Sequence, residues 1–402
     1  MLKLIFCFFI CFCFYGCSSD DYSYNDDDKP NNNNDVDSGF SSDAQIVFDS
    51  IFEYYWSDKI DFFFGNYPNN KGAVDEADHP QYDEHAYLWG FGGVYSAYSA
   101  ILMDSLDSDF YYQYDAKLRS ALLDYYTPNR DPVGFACFVN SHDHRLYDDA
   151  IWVGIDLVDL YSLTNDNWYL NYAEVVWEFI MSGYDDLLGG GIYWEEYPKD
   201  SKNTCSNAPA VVLALKLYEE TKDESYLEIG IDIYDWLQSN LQDPHDYLYW
   251  DNIKLDGRIE EWKFSYNSGQ MIQAGVLLYN NTGDESYLTD AKKVAEACYQ
   301  EFFDHNFTSN FTGEKFPILK DGHIWFNAVM VRGFIELHNV EEHNHYMSAI
   351  ERSLTHGLRY AVDSNTGLLK SYLSGNEIDN PDERGDVLHQ GAFAEMLARI
   401  GI

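Results

Sequence analysis

The chain has 402 residues, with 68 Asp and Glu against 25 Lys and Arg, so its formal net charge is −43. Such a surface repels polyanions, which excludes nucleic acid and anionic membrane surfaces as partners and suits a neutral ligand. Aromatic residues make up 17% of the chain, with 34 Tyr and 10 Trp; flat rings fill large helical cores and also cover the apolar face of a sugar.

The first 16 residues are expected to be a targeting segment. Lys3 gives a short positive start, and the apolar run from Leu4 to Phe14 is too short to anchor a protein across a bilayer. The run ends at Phe14-Tyr15-Gly16-Cys17 and is followed by Ser18-Ser19-Asp20-Asp21. This resembles a bacterial lipoprotein signal, cut before Cys17, although Phe14 stands where such signals usually carry Leu. The resemblance implies an exported protein held to the membrane only by a lipid on Cys17. The acidic stretch after Cys17 resembles the surface-export signals of Bacteroidetes lipoproteins, which implies the outer membrane facing the cell surface, with the periplasmic face as the alternative. Residues 17–42 are rich in Asp, Asn and Ser with almost no apolar content, and are expected to be a disordered tether. Cys7, Cys11 and Cys13 would leave with the signal. Cys137, Cys205 and Cys298 remain; an odd number gives no full disulfide framework, so buried thiols are expected, with one bonded pair left open.

A repeat begins beyond the tether. The stretch from Tyr161 to Leu170 recurs from Tyr218 to Leu227 and again from Tyr279 to Leu288. In each, a Tyr ends one helix, a Thr opens a tight turn, and Asp166, Asp223 or Asp284 caps the next helix. Weaker copies surround Tyr111 and Tyr346, so Tyr111, Tyr169, Tyr226, Tyr287 and Tyr346 mark intervals of 58, 57, 61 and 59 residues. That length holds two helices and two connections per unit. Polar-faced helices are expected to begin near Asp43, Ser108, Asp166, Asp223, Asp284 and His343. Apolar helices rich in small residues are expected over Tyr87–Leu102, Asp149–Leu160, Ala208–Leu217, Ser268–Tyr279, Ile324–Leu337 and Val387–Ile400. Small residues permit the close approach that an inner ring needs. Six inner and six outer helices in strict alternation predict an all-α (α/α)6 toroid, one domain over residues 43–402.

The connections into the apolar helices are the long ones, and long structured loops usually carry function. They deliver the chain to one rim of the toroid, where Asp148 and Asp149 open a helix that continues through Ile151, Trp152, Ile155 and Val158. Alone, Asp148 would be an N-cap or first-turn residue and Asp149 a favourable charge at the positive helix end. On an aromatic-lined rim, two carboxylates instead suggest glycosidic bond cleavage. One must protonate the leaving oxygen, and the other must attack the anomeric carbon or activate water. Neighbours at a helix end can bring their carboxyls to about 5–5.5 Å, the separation of retaining enzymes. Asp148, nearer the free N–H groups, is expected to stay ionised, and its charge to keep Asp149 protonated.

These residues carry a family resemblance. Tyr147-Asp148-Asp149 with Trp152 is similar to glycoside hydrolase family 76, the endo-α-1,6-mannanases. So are the stretches Leu188 to Trp194, Lys202 to Pro209 and Tyr266 to Met271, in family order and spacing. The resemblance implies an (α/α)6 fold, no metal, retention of configuration, Asp148 as nucleophile and Asp149 as acid/base. The implied partner is α-mannan polysaccharide or oligosaccharide, with the chain acting as a monomer.

Other residues at the rim are open to two readings. Asn207 opens an inner helix and is either a cap or a sugar contact. Tyr266, Asn267 and Gln270 open the next; Asn267 and Gln270, three apart, are expected to face the mouth and bind substrate. Trp194, Tyr193, Trp250 and Trp262 lie in long loops, where some would stack on sugar and the rest would close loops over the core. Trp325, with His323 and Asn327, begins the fifth inner helix, and His389 and Gln390 begin the sixth. Asp185-Asp186 precedes a Gly run and is more simply a turn. His142-Asp143-His144 has neither the spacing of a helical zinc pair nor a third ligand, so no metal is expected. No phosphate-cradling Gly loop is present, and no cofactor is expected. The alternatives to an endo-mannanase are a transglycosylase at the same site, a mannan-binding lipoprotein without catalysis, and an (α/α)6 epimerase using His323 and His389.

Overall fold

A computed structural model describes residues 39–68, 85–104, 107–139, 144–378, 380, 383 and 385–401. The signal segment, Cys17 and the tether up to residue 38 lie outside the described residues, as do His142 and Asp143. In chain order the helices are α1 (Phe40–Tyr55), α2 (Leu88–Asp104), α3 (Ser108–Asp124) and α4 (Tyr147–Thr164). Then come α5 (Asn167–Met181), α6 (Thr204–Thr221), α7 (Glu224–Leu241) and α8 (Ser265–Thr282). The last four are α9 (Glu285–Phe302), α10 (Ile324–Val340), α11 (Asn344–Tyr360) and α12 (Val387–Gly401).

The even-numbered helices form a ring in which each packs on the next and α12 returns to α2. They are buried nearly all round; every residue of α6 from Thr204 to Leu215 is inside. The odd-numbered helices lie outside and bury one face each. This is the six-plus-six toroid that the repeat predicts. Its turns follow the predicted chemistry. The carboxylates of Asp107, Asp166, Asp223 and Asp284 accept the backbone N–H two residues on, at 2.8–3.0 Å. Asn165, Lys222 and Gly283 adopt the left-handed conformation, and each returns its N–H to the carbonyl of Tyr161, Tyr218 or Tyr279 at 2.8 Å.

The ends of the chain depart from the expected pattern. Phe40, Ser41 and Ser42, counted with the tether from composition, belong to α1, because Phe40 packs on the core. Asp43 therefore sits inside the first turn rather than at the cap. His343 occupies the cap position of α11 without capping it through its side chain.

Two seams of the ring depend on glycine. A side chain on Gly391 of α12 would collide with the backbone of Gly93 on α2. One on Gly269 of α8 would strike Met330 of α10, and one on Gly333 would strike the Gly269 carbonyl. The bore is consequently narrow. Trp152 of α4 meets Trp325 of α10 across it, edge to face at 4.9 Å, and Trp89 of α2 meets Trp325 at 5.1 Å. Beneath these rings Arg332 forms a bidentate pair with Glu395 at 2.6 and 2.9 Å, and Ser96 bonds Asp156 at 2.6 Å.

The connections into the inner helices hold short antiparallel ladders that periodicity did not suggest. β1 (Trp56–Ser57) pairs with β2 (Phe62–Phe63). β3 (Ser201–Asn203) pairs with β4 (Trp250–Lys254), and β4 with β5 (Ile259–Lys263). β6 (Phe303–Asp304) pairs with β7 (Ile318–Leu319). All lie on the rim where α4, α6 and α8 begin or on its continuation around the ring.

Replacing Gly391 by Ala should cost at least about 1–3 kcal/mol, because backbone on both sides of the seam must move. Gly65→Ala, whose added carbon would meet nothing closer than 3.9 Å, should unfold with the unaltered chain; thermal unfolding followed by circular dichroism compares the two.

Candidate active site

Asp148 and Asp149 lie in the first turn of α4, behind Leu146 at the N-cap position. Asp148 does not cap the helix as a side chain. Its Oδ1 accepts the Asp149 N–H at 3.0 Å, and its Oδ2 accepts the Trp194 indole Nε1–H at 2.9 Å. The Cys205 thiol also donates to Asp148, and the Tyr266 hydroxyl in turn donates to the Cys205 sulfur. Asp149 is deeper, only 6% exposed, and takes a hydrogen bond from the Cys137 thiol. All three cysteines are free and buried.

Burial raises both carboxyls, but unequally. Asp148 is pushed up to about 6 by burial, and donors from Trp194, Cys205 and the Asp149 backbone hold it down against that. Asp149 is driven well above the ordinary carboxylate range by burial and then by the negative charge of Asp148. Two buried like charges in contact cannot both ionise, so the pair carries one proton, and it resides on Asp149. The division is the one expected from sequence. Its cause is three specific donors on Asp148 rather than helix polarity alone.

Trp194 reaches Asp148 because its segment is stitched to the start of α4. The Tyr147 N–H donates to the Trp194 carbonyl and the Glu196 N–H to the Arg145 carbonyl, both at 3.0 Å. Arg145 locks this junction from inside. Its fully buried guanidinium pairs with Glu196 and donates to the Pro132 carbonyl at 2.7 Å and to Thr127 Oγ1 at 3.1 Å. The Gly-rich stretch before Trp194 is clamped in the same way. The Lys202 ammonium donates to Asp185 Oδ1 and to the carbonyls of Asp185, Leu187 and Gly190, all within 2.9 Å.

These clamps reassign two residues nominated for substrate. Asn207 is fully buried; its amide exchanges two hydrogen bonds with the Ile192 backbone and gives a third to the Asn203 carbonyl. It is neither a helix cap nor a sugar contact. Tyr193 is buried with its hydroxyl on Asp185 at 2.9 Å, so it holds the loop as well. Asp185 does start a turn, accepting the Leu187 N–H at 3.0 Å, and it is also the counter-ion of Lys202.

The rest of the pit comes from α8, α10 and the β3–β4–β5 ladder. Tyr266 lies beside Cys205 and Asp148. Asn267 faces Asp251 on β4 with its buried amide unpaired among the described residues, while Asp251 accepts from Asn252 Nδ2 at 2.7 Å and is raised by burial. Gln270 lies one turn further down α8, fully buried and bonded to Gln273 at 2.5 Å, so it does not face the mouth. Trp325 is 2% exposed and lies under the pit, with Trp152 beside it. Trp250 is half-buried against the core, whereas Trp262 on β5 is open to solvent.

His323 stacks between Trp89 and Phe326 and meets His389 edge-on at 4.5 Å. Burial lowers them to about 3 and about 4, so both are neutral imidazoles rather than imidazolium acids near neutral pH. Among the described residues no group of three or more His, Cys, Asp or Glu is placed to hold a metal ion. Sequence reasoning passed over Asp251 and the donor roles of Cys137 and Cys205. Only Cys205 had a signal, as part of the Lys202–Pro209 motif.

A family model for glycosyl hydrolase family 76 matches residues 40–367. A solved family 76 glycoside hydrolase (mannosidase) from Bacteroides thetaiotaomicron superposes with a TM-score of 0.82 at 32% identity, covering 90% of this chain and 98% of that one. An inactive variant of an α-1,6-mannanase from a Salegentibacter species, with two consecutive Asp residues replaced by Asn, was solved in complex with α-1,6-mannotriose. It superposes with a TM-score of 0.72 at 25% identity, covering 90% of this chain and 99% of that one. A mannan endo-1,6-alpha-mannosidase of Saccharomyces cerevisiae is 27% identical over 150 residues, 35% of this chain and 33% of that protein. The chain thus spans about a third to a half of the length of such relatives. With the toroid, the paired carboxylates and a family match over most of its length, the chain belongs to glycoside hydrolase family 76.

Proposed function

We propose that the chain is a retaining endo-α-1,6-mannanase. The observation that carries this reading is the adjacent pair Asp148–Asp149, held in one pit with a single shared proton. The relatives support the substrate: a solved α-1,6-mannanase is inactive when two adjacent aspartates are lost, and it is found with an α-1,6-manno-oligosaccharide.

Asp148, ionised and steadied by Trp194 and Cys205, attacks the anomeric carbon of the mannose. Asp149 gives its proton to the departing glycosidic oxygen as that bond breaks. The covalent mannosyl–Asp148 ester is then opened by water, whose proton passes to Asp149. Asp148 attacks from the face opposite the leaving group and water then attacks from the face opposite Asp148, so two inversions leave the configuration retained. On the strength of its signal-like N-terminus, the reading includes export and lipid attachment at Cys17, with the toroid acting as a monomer from the membrane surface.

Asp148→Asn and Asp149→Asn should each lower kcat/KM on unbranched α-1,6-mannan by about three orders of magnitude or more; products insensitive to both changes would remove the pair from catalysis. The first product seen by proton NMR should be the α-anomer. The pH profile of kcat/KM should rise through about pH 6 as Asp148 ionises and fall once Asp149 loses its proton. Cys205→Ala removes a donor that favours the charged form of Asp148, so the acid limb should move to higher pH by about one unit. Cys205→Ser should restore it, while an unmoved limb in Cys205→Ala would show that the thiol does not act on Asp148. Labelling with an alkyne fatty acid should mark the full chain and be lost in Cys17→Ala.

A further inference from the structure

We propose that Trp262 is an outlying sugar-binding platform, stacking on a mannosyl residue of the α-1,6-linked chain beyond the sugars that react. The inference rests on the mannanase reading and adds to it a site on the ladder.

The register places this indole. Trp250 of β4 pairs with Lys263 of β5, and Asn252 pairs with Glu260, so the single residue Asp251 opposes Glu261 and Trp262 across a bulge. Side chains alternate along a strand, so Trp262 points away from the face of Lys263, just as Asp251 points away from the face of Trp250. Lys263 goes to the far side, where its ammonium binds Asp243 and Asp246 at 2.6 Å. Trp262 therefore shares the face of Asp251, and Asp251 lies in the pit against Asn267 and near Cys205.

The same ladder runs back to the carboxylates. Tyr193 bridges to Lys202 of β3, Lys202 pairs with Ile253 of β4, and Ile253 pairs with Ile259 of β5. The segment of Trp194, which touches Asp148, is thus three strand spacings from that of Trp262, about 14 Å. That is further than the ring undergoing cleavage extends, and it lies along a continuous wall.

Trp262 also has no part in holding the fold. It is 70% exposed, and among the described residues its ring meets no other ring. An indole left open at the end of a rigid hairpin costs little ordering to bind, and it offers a flat apolar face to a pyranose while water keeps the hydroxyls. The polyanionic surface disfavours a nucleic acid or an acidic membrane there, which leaves the neutral polymer as the occupant.

The test compares Trp262→Ala and Trp262→Phe with the unaltered enzyme on α-1,6-mannan and on the shortest α-1,6-manno-oligosaccharide that it cleaves. The ratio of kcat/KM on polymer to kcat/KM on oligosaccharide should fall about tenfold in Trp262→Ala, chiefly through KM, and recover in large part in Trp262→Phe. An unchanged ratio, whether both substrates suffer equally or neither does, overturns the platform. If the unaltered enzyme cleaves no α-1,6-mannan, the mannanase reading fails instead. Affinity electrophoresis in that polymer then decides the platform separately: retardation weakened by Trp262→Ala supports it, and equal or absent retardation overturns it.

Discussion

The whole molecule depends on a ring of helices that can close only where backbones touch. At the seam of α2 with α12 and that of α8 with α10, glycines take the place of side chains that would collide with the opposing chain. Close-packed interiors transmit such constraints, because there is no spare volume to absorb them. A tight ring has a narrow bore, and a narrow bore brings Trp152 and Trp89, from two different helices, against Trp325 of a third. Those rings form the floor on which the pit stands. The buried Arg332–Glu395 pair below them would be expensive if either partner were lost, so it ties α10 to α12 in one arrangement.

On that floor a difference between neighbours sets where the proton sits. Asp148 and Asp149 are the same residue type, one position apart, in one turn of one helix. Asp148 is partly open and receives an indole N–H, a thiol and a backbone N–H. Asp149 is enclosed and receives only a thiol. Hydrogen bonds to the charged form stabilise it, and burial opposes it, so the proton is assigned by the surroundings rather than by the residues. The loop that delivers the indole is therefore as necessary as the helix. Arg145, Lys202 and Asn207, all buried, each tie that loop down: Arg145 through Glu196, Lys202 through Asp185 and the Leu187 and Gly190 carbonyls, and Asn207 through the Ile192 backbone. Their positive or polar character invites a reading as substrate contacts, yet their work is to keep a strained Gly-rich segment in one shape.

The division between what was legible and what was not follows the range of the interactions. The alternation of helices, the Asp caps at 166, 223 and 284, the left-handed turns and the position of the carboxylate pair on a loop-rich rim all depend on residues within a few positions of each other. So does the family pattern from Tyr147 to Met271. These were readable because local physics repeats: an Asp two residues before a free N–H caps a helix wherever it stands. The sequence alone thus determined the toroid, its loop-rich rim and the place of the carboxylate pair on that rim.

Tertiary structure decided everything that depends on one loop meeting another. Tyr193, Asn207 and Gln270 point inward because of ladder register and helix rotation, and a one-residue slip in either would have turned them outward. Cys137 and Cys205 became donors to two different carboxylates, and Asp251 entered the pit beside Asn267, through contacts between residues 12 to 57 positions apart in the chain. No periodicity records such contacts, since they are properties of packed distance rather than of sequence spacing.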